Sequence, residues 1–177
     1  MSVSNAGVND LIIRLAAPEP DQRILELGFG SGALVAKAAT AVPEGSVSGV
    51  DVPEEMFAQA CRRNAAAVRE VRVELRKGDV SGPPCEEGSF DRVLSVHSTY
   101  FWPDPVRDFV ETLRLLKPGG LLVVPVDPRE PTELSGDGDL LLSLLKRSGF
   151  ERARVEPATG RTSSAPWAVS PAGTRPD

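Results

Sequence analysis

The stretch Arg23–Gly32, RILELGFGSG, joins a short apolar run to a loop carrying Gly28, Gly30 and Gly32. A run of that kind suits a buried strand, and Ala33–Ala41, Ala-rich and of helical period, follows the loop at once. Glycines at a strand-to-helix turn let the backbone approach a ligand closely, and the first turn of the helix supplies N–H groups with no partner inside the helix. Ser46–Val50 then reads as a second strand closing on Asp51. The loop has two readings at this point. GFGSGA fits a dinucleotide-binding turn in its permissive form, with Ala33 in the third glycine position and Asp51 about 20 residues from the turn to meet a ribose. Alternatively, Glu26 opens an E-x-G-x-G-x-G series.

Outward from this centre, short β-branched runs alternate with helical segments, the pattern of an α/β domain. Asn9–Ala17 reads as a helix stopped by Pro18 and Pro20, and the helix entered at Pro53 is expected to run to about Val68. Val71–Arg76 reads as a third strand before Lys77-Gly78-Asp79, and Val80–Ser89, with Gly82, Pro83, Pro84 and Gly88, reads as a loop. Phe90–Val96 is a fourth strand. A helix from Pro105 is expected to end at Leu116–Gly120, LKPGG, where Gly119 and Gly120 give a tight turn into a fifth strand, Leu121–Val126. A short polar loop, a helix from about Asp139 to Arg147, and strands Phe150–Val155 and Ser163–Val169 complete the reading. The last two pair antiparallel across a turn at Pro157–Gly160. The expectation is a doubly wound, mostly parallel seven-stranded sheet with a C-terminal antiparallel hairpin and no large lid. Residues 1–20 form a short helical segment, 21–170 the domain and 171–177 a mobile tail.

Composition narrows the classes. The 177 residues are 41% hydrophobic and 25% charged, enough for one core. Twenty basic against 25 acidic residues, scattered along the chain, give a net charge of −5 and no nucleic-acid footprint. Sixteen arginines against four lysines, with 16 Gly and 16 Pro, look like GC-rich bacterial coding. No stretch approaches the roughly 20 apolar residues of a membrane helix, and MSVSNAGVND has neither the basic nor the apolar region of a leader. Two cysteines, Cys61 and Cys85, lack disulfide-scaffold or metal-ligand spacing, which fits a reducing cytoplasm.

Taken in order, Glu26, the three glycines, Asp51, Asp79 and LKPGG resemble the class I S-adenosylmethionine-dependent methyltransferases, in particular their small bacterial, type 11/25-like domains with a Rossmann-like fold. The resemblance covers about Asp21–Gly120 with every expected motif, and the last helix and strands more loosely. It implies S-adenosylmethionine as cofactor and S-adenosylhomocysteine as product. It places the Gly28–Gly32 loop, Phe29 included, against the methionyl part and Asp51 on the ribose hydroxyls. Val52, Pro53 and Met56 would border the adenine. Asp79, after Gly78, would accept from the adenine amino group with the Val80 N–H near the ring, and Ser95, Val96 and His97 would lie beside the methionine portion. Single positions keep plainer readings: Glu26 and Asp51 as caps of backbone N–H groups, Asp79 as a turn residue.

The segment His97–Trp102 leaves the fourth strand at the carboxyl edge, where open α/β sheets bind ligands. His97, the only histidine, is a candidate proton acceptor, a hydrogen-bonding residue or a structural one. Tyr100 is the second catalytic candidate. Together with Phe101 and Trp102 it would flank a flat acceptor and attract a sulfonium cation, although each ring would equally pack a helix onto the sheet. Asp127, Arg129 and Glu130 are further acceptor contacts or a solvated loop. No metal is expected. With so little chain before RILEL and a short loop after VVPVD, the acceptor is large or carrier-bound, or a second subunit covers the site and the chain is a homodimer. The reading is a cytoplasmic methyltransferase acting on O, N or C of a small molecule, in specialised metabolism. The alternatives are an S-adenosylmethionine-binding protein with a non-methylating or accessory role, and an NAD-dependent oxidoreductase.

Overall fold

Alternation along Arg23–Leu27 (β1) sets the two faces of the sheet: Ile24 packs into one apolar layer, Leu25 and Leu27 into the other. A computed structural model describes residues 5–96, 98–99, 102–125, 138–157 and 166–171. On the Ile24 side lie Asn5–Ala16 (α1) and Ala33–Ala41 (α2), which contribute Val8, Ile12, Val35 and Ala38 to the buried layer. On the Leu25 side lie Pro105–Leu115 (α5) and Gly138–Arg147 (α6), with Phe109, Leu141 and Leu145. Fully burying an aliphatic or aromatic side chain of this size contributes roughly 1.5 to 3 kcal/mol, so these layers hold the helices to the sheet.

Ser46–Asp51 (β2), Val73–Lys77 (β3), Phe90–Ser95 (β4) and Leu116–Pro125 (β5) join β1 in a parallel sheet ordered β3-β2-β1-β4-β5. Beyond it, the backbone of Pro166–Pro171 (β7) pairs antiparallel with β5, and Arg154–Pro157 (β6) with β7. The expected turn at 157–160 lies largely outside the described residues, as do the loop over 126–137 and the tail beyond Pro171.

Several boundaries differ from expectation: α1 begins at Asn5 rather than Asn9, β3 at Val73 rather than Val71, β6 at Arg154 rather than Phe150, and β7 runs to Pro171, where the expected tail begins. Two further differences have a visible cause. The helix entered at Pro53 breaks at Asn64 into Glu54–Arg63 (α3) and Ala65–Arg69 (α4). Asn64 is buried, and its amide donates to the carbonyls of Ala60 and Gly32 at 2.9 and 3.1 Å, so the side chain competes with the helical ladder. LKPGG is a bulge within β5 rather than a turn before it: Phe90 faces Leu116, while Arg92, two residues on, faces Leu121. Lys117 in that bulge donates to both oxygens of Asp91 at 2.8 and 2.9 Å, and Asp91 also accepts from the Arg23 N–H at 2.9 Å. Burial pulls the Asp91 carboxyl up, but Lys117 and the Arg23 N–H more than offset this and hold it below its ordinary value.

Candidate cofactor site

The carboxyl ends of β1, β2 and β4 meet where the sheet order reverses, since β1 continues to β2 on one side and to β4 on the other. Gly28, Gly30 and Gly32 all have positive φ, at 77°, 49° and 73°. Two of them are also required by crowding. A Cβ on Gly28 would lie 2.4 Å from that of Ser98, and one on Gly32 would lie 2.8 Å from that of Ala60. At Gly30 a Cβ would meet nothing within 4 Å, so the loop is open there.

Asp51 closes the loop from β2. Its Oδ2 accepts from the Gly30 N–H at 2.6 Å and its Oδ1 from the Val52 N–H at 2.8 Å. A carboxylate has about four acceptor positions, so two remain for a ligand. From the other side, Arg63 Nε donates to the Ser31 carbonyl at 3.0 Å and Asn64 to that of Gly32. Neither Arg63 nor Asn64 was singled out from the sequence. The only available signal was an Asn inside a helical pattern.

Glu26 shares the Ile24 face of β1 and is 3% exposed. Burial pushes its carboxyl well above the usual carboxylate range and the charge of Asp51 pushes the same way, while the Val35 N–H in the first turn of α2 pulls it back. Its Oε2 has no partner among the described residues. Glu26 therefore touches the start of α2, as a cap would, and still carries an unsatisfied buried oxygen.

Phe29 turns away from the loop surface: at 3% exposed, its ring packs 6.4 Å from that of Phe57 and fills the space left by Gly49. Only its main chain belongs to the loop. Ser95 is fully buried, with Oγ 2.6 Å from that of Ser98, which in turn donates to the Leu27 carbonyl. Its side chain is committed inside the protein, and Ser98 is the residue that packs on Gly28. Val96 is half-buried at the end of β4.

Val52 is 65% exposed beside Asp51, with Pro53 exposed and Met56 half-buried after it. Gly78 donates to the Asp51 carbonyl at 3.1 Å, which brings the loop after β3 to the same edge. Asp79 is exposed there and accepts from the Ser81 N–H with one oxygen, a turn contact that leaves the other oxygen outward. Trp102 is buried, its ring edge-on to Phe109 at 5.0 Å. The tryptophan is thus a packing residue for α5. His97, Tyr100, Phe101, Asp127, Arg129 and Glu130 lie outside the described residues.

The profile of the methyltransferase-domain family matches residues 24–120. The chain belongs to the class I S-adenosylmethionine-dependent methyltransferases. The match spans all the glycine-loop, Asp51, Asp79 and LKPGG positions, and it decides between the two readings of GFGSGA. This methyltransferase is 29% identical over 160 residues to the uncharacterized methyltransferase YdaC of Bacillus subtilis, covering 88% of the chain and 86% of YdaC. It is 33% identical over 159 residues to the arsenite methyltransferase of Halobacterium salinarum, covering 80% of the chain and 40% of that protein. Its fold superimposes with a TM-score of 0.76 on phosphoethanolamine N-methyltransferase 2 of Haemonchus contortus solved with S-adenosyl-L-methionine, at 26% identity, over 89% of this chain and 40% of that one. The methyltransferase thus spans most of YdaC and well under half of the other two.

The residues present fit the family's cofactor. An open cradle at Gly30, a carboxylate with spare acceptors at Asp51, an outward oxygen at Asp79 and an unsatisfied buried carboxyl oxygen at Glu26 provide acceptors for a ligand rich in hydroxyl and amino donors. Among the described residues no three His, Cys, Asp or Glu side chains cluster to hold a metal ion, and no helix is long and apolar enough to cross a membrane.

Proposed function

We propose that this chain binds S-adenosylmethionine across the Gly28–Gly32 loop and transfers its methyl group to a small-molecule acceptor. The observation that carries the reading is the Asp51 carboxylate, fixed by the Gly30 and Val52 N–H groups at the switch point with acceptor positions to spare. When bound, the cofactor supplies an electrophilic methyl on a sulfonium centre. The chain's part is to hold and align. Asp51 accepts from the ribose hydroxyls, the outward oxygen of Asp79 from the adenine amino group, and Val52, Pro53 and Met56 border the adenine. Glu26 offers its unpaired oxygen to the positive methionyl end, and holding both reactants in line supplies several kcal/mol of the barrier reduction.

We assign the acceptor side to His97, Tyr100 and Phe101, which follow β4 in the sequence, a reading supported by Ser98 packing on Gly28. His97 takes the acceptor's proton. His97→Asn is therefore expected to depress turnover far more than cofactor affinity, and near-normal turnover would remove this role. Arsenite and phosphoethanolamine, the acceptors in the names of two relatives, are both small, which supports a small acceptor here.

We also infer that β6 and β7 join through 158–165 as a C-terminal hairpin completing a seven-stranded sheet, a reading supported by their antiparallel backbone registers. Slow amide exchange in both strands would support it and rapid exchange would remove it.

The test of the main reading is a thermal-shift titration with S-adenosylmethionine, S-adenosylhomocysteine and NAD in parallel. A ligand at 100 times its Kd adds about 2.7 kcal/mol of stability. Stabilisation by the first two alone is expected; stabilisation by NAD alone, or by none, would overturn it.

A further inference from the structure

Asp108 lies in the first turn of α5, only 1% exposed, and the reading above gives it no task. Its Oδ2 accepts from the Asp104 N–H at 3.3 Å, while the Asp104 side chain accepts from the Arg107 N–H at 3.2 Å, a reciprocal cap of the helix start. Its Oδ1 has no hydrogen-bond partner among the described residues, and the Ser81 hydroxyl is near enough to the carboxyl to favour its charged form. Ser81 Oγ is likewise buried and unpaired. An exposed serine would satisfy itself with water. Two buried polar atoms without partners on neighbouring elements are costly unless they serve one another, directly or through a shared water.

Ser81 belongs to the turn Asp79–Gly82. Its N–H donates to the Asp79 side chain and the Gly82 N–H to the Asp79 carbonyl. Val80 between them packs into the apolar layer of α5 and α6. The turn that carries the proposed adenine contacts is therefore seated against the layer of α5 by Val80, with the Ser81 hydroxyl in the neighbourhood of Asp108. The neighbour of Asp108 is Phe109, and Phe109 carries Trp102 at the end of the acceptor segment.

We propose that Asp108 is a positioning residue that fixes the Asp79–Gly82 turn through Ser81, so that the first turn of α5 sets the adenine end of the site. Burial is the main influence raising the Asp108 carboxyl above its ordinary value, with Asp104 and Asp79 adding to it and Ser81 and the Asp104 N–H opposing.

This inference rests on the cofactor reading, and the test separates the two. S-adenosylhomocysteine affinity is measured by calorimetry for the wild type, Ser81→Ala, Asp108→Asn and the double variant, alongside affinity for S-inosylhomocysteine, in which hypoxanthine replaces adenine. Each single variant is expected to weaken S-adenosylhomocysteine by about threefold to tenfold, to narrow the preference for adenine over hypoxanthine, and to leave the double variant no worse than the weaker single. A residue that only stabilises the fold would lower Tm without moving that preference. Ser81→Ala, the loss of one hydroxyl from a half-buried turn residue, keeps the test open if Asp108→Asn fails to fold: wild-type affinity and preference in Ser81→Ala overturn the proposal. Additive losses in the double variant also overturn it. Failure of the wild type to bind S-adenosylhomocysteine at all would overturn the cofactor reading itself.

Discussion

The Gly30 main-chain N–H donates to Asp51 Oδ2 at 2.6 Å, across the gap between the glycine loop and the end of β2. The loop's shape and the carboxylate's aim are thereby one property. Asp51→Ala is expected to cost both: the free protein loses the two N–H contacts, and the ligand loses charge-assisted acceptors worth roughly 1.5 to 3 kcal/mol each. Calorimetry should show S-adenosylhomocysteine affinity reduced by at least about tenfold. Undiminished affinity would remove Asp51 from the site.

Gly28 is held at φ 77° with Ser98 where a Cβ would go. Gly28→Ala is therefore expected to destabilise the free protein by about 1 to 3 kcal/mol, read by denaturant unfolding. Adding Ser98→Gly should recover part of that loss. If it recovers none, the cost lies in the backbone angle alone.

Glu26 gives a pH signature. Its folded pKa lies above the unfolded value of about 4.3, so its contribution to stability is complete below that pH and is lost as pH rises through the raised folded value. Glu26→Gln removes the titration while keeping the shape and an acceptor for the Val35 N–H. In the ligand-free protein, the Gln variant should gain Tm relative to wild type as pH rises from 5 to 8. A difference independent of pH would mean that the carboxyl is not strained by burial.

Val71, at φ 59° and 87% exposed, is a β-branched residue in a left-handed conformation with little packing to lose. Val71→Gly is expected to stabilise the protein by up to about 1 kcal/mol, relief of strain exceeding the added freedom of the unfolded chain. A fall in the unfolding midpoint would contradict this.

The parallel core was legible because its signals are local: apolar runs of strand length, glycines at the turn after β1, and an acid at the end of β2. Those features follow from chain geometry and need no partner to be recognised. What stayed hidden depends on contacts between distant residues. RILEL does not show that Ser98 will occupy the space beside Gly28, or that Phe29, amid loop glycines, will turn inward onto Phe57. The break at Asn64 follows from its amide reaching Gly32, and the bulge at LKPGG follows from Lys117 reaching Asp91, each a pairing across many residues. Nothing in the sequence singles out Asp108, an acid near a helix start, because only packing reveals that it is buried.

The grip of Arg63 and Asn64 on the Ser31 and Gly32 carbonyls, together with the Phe29 carbonyl accepting from the Gly32 N–H, gives the loop an electrical sidedness. Three of its oxygens are engaged from within the protein, so they do not oppose the positive end of α2 at the ligand's edge. Preference for a negatively charged group there is then governed partly by a different helix, and a change at Arg63 would alter which ligand charge is tolerated without touching the ligand.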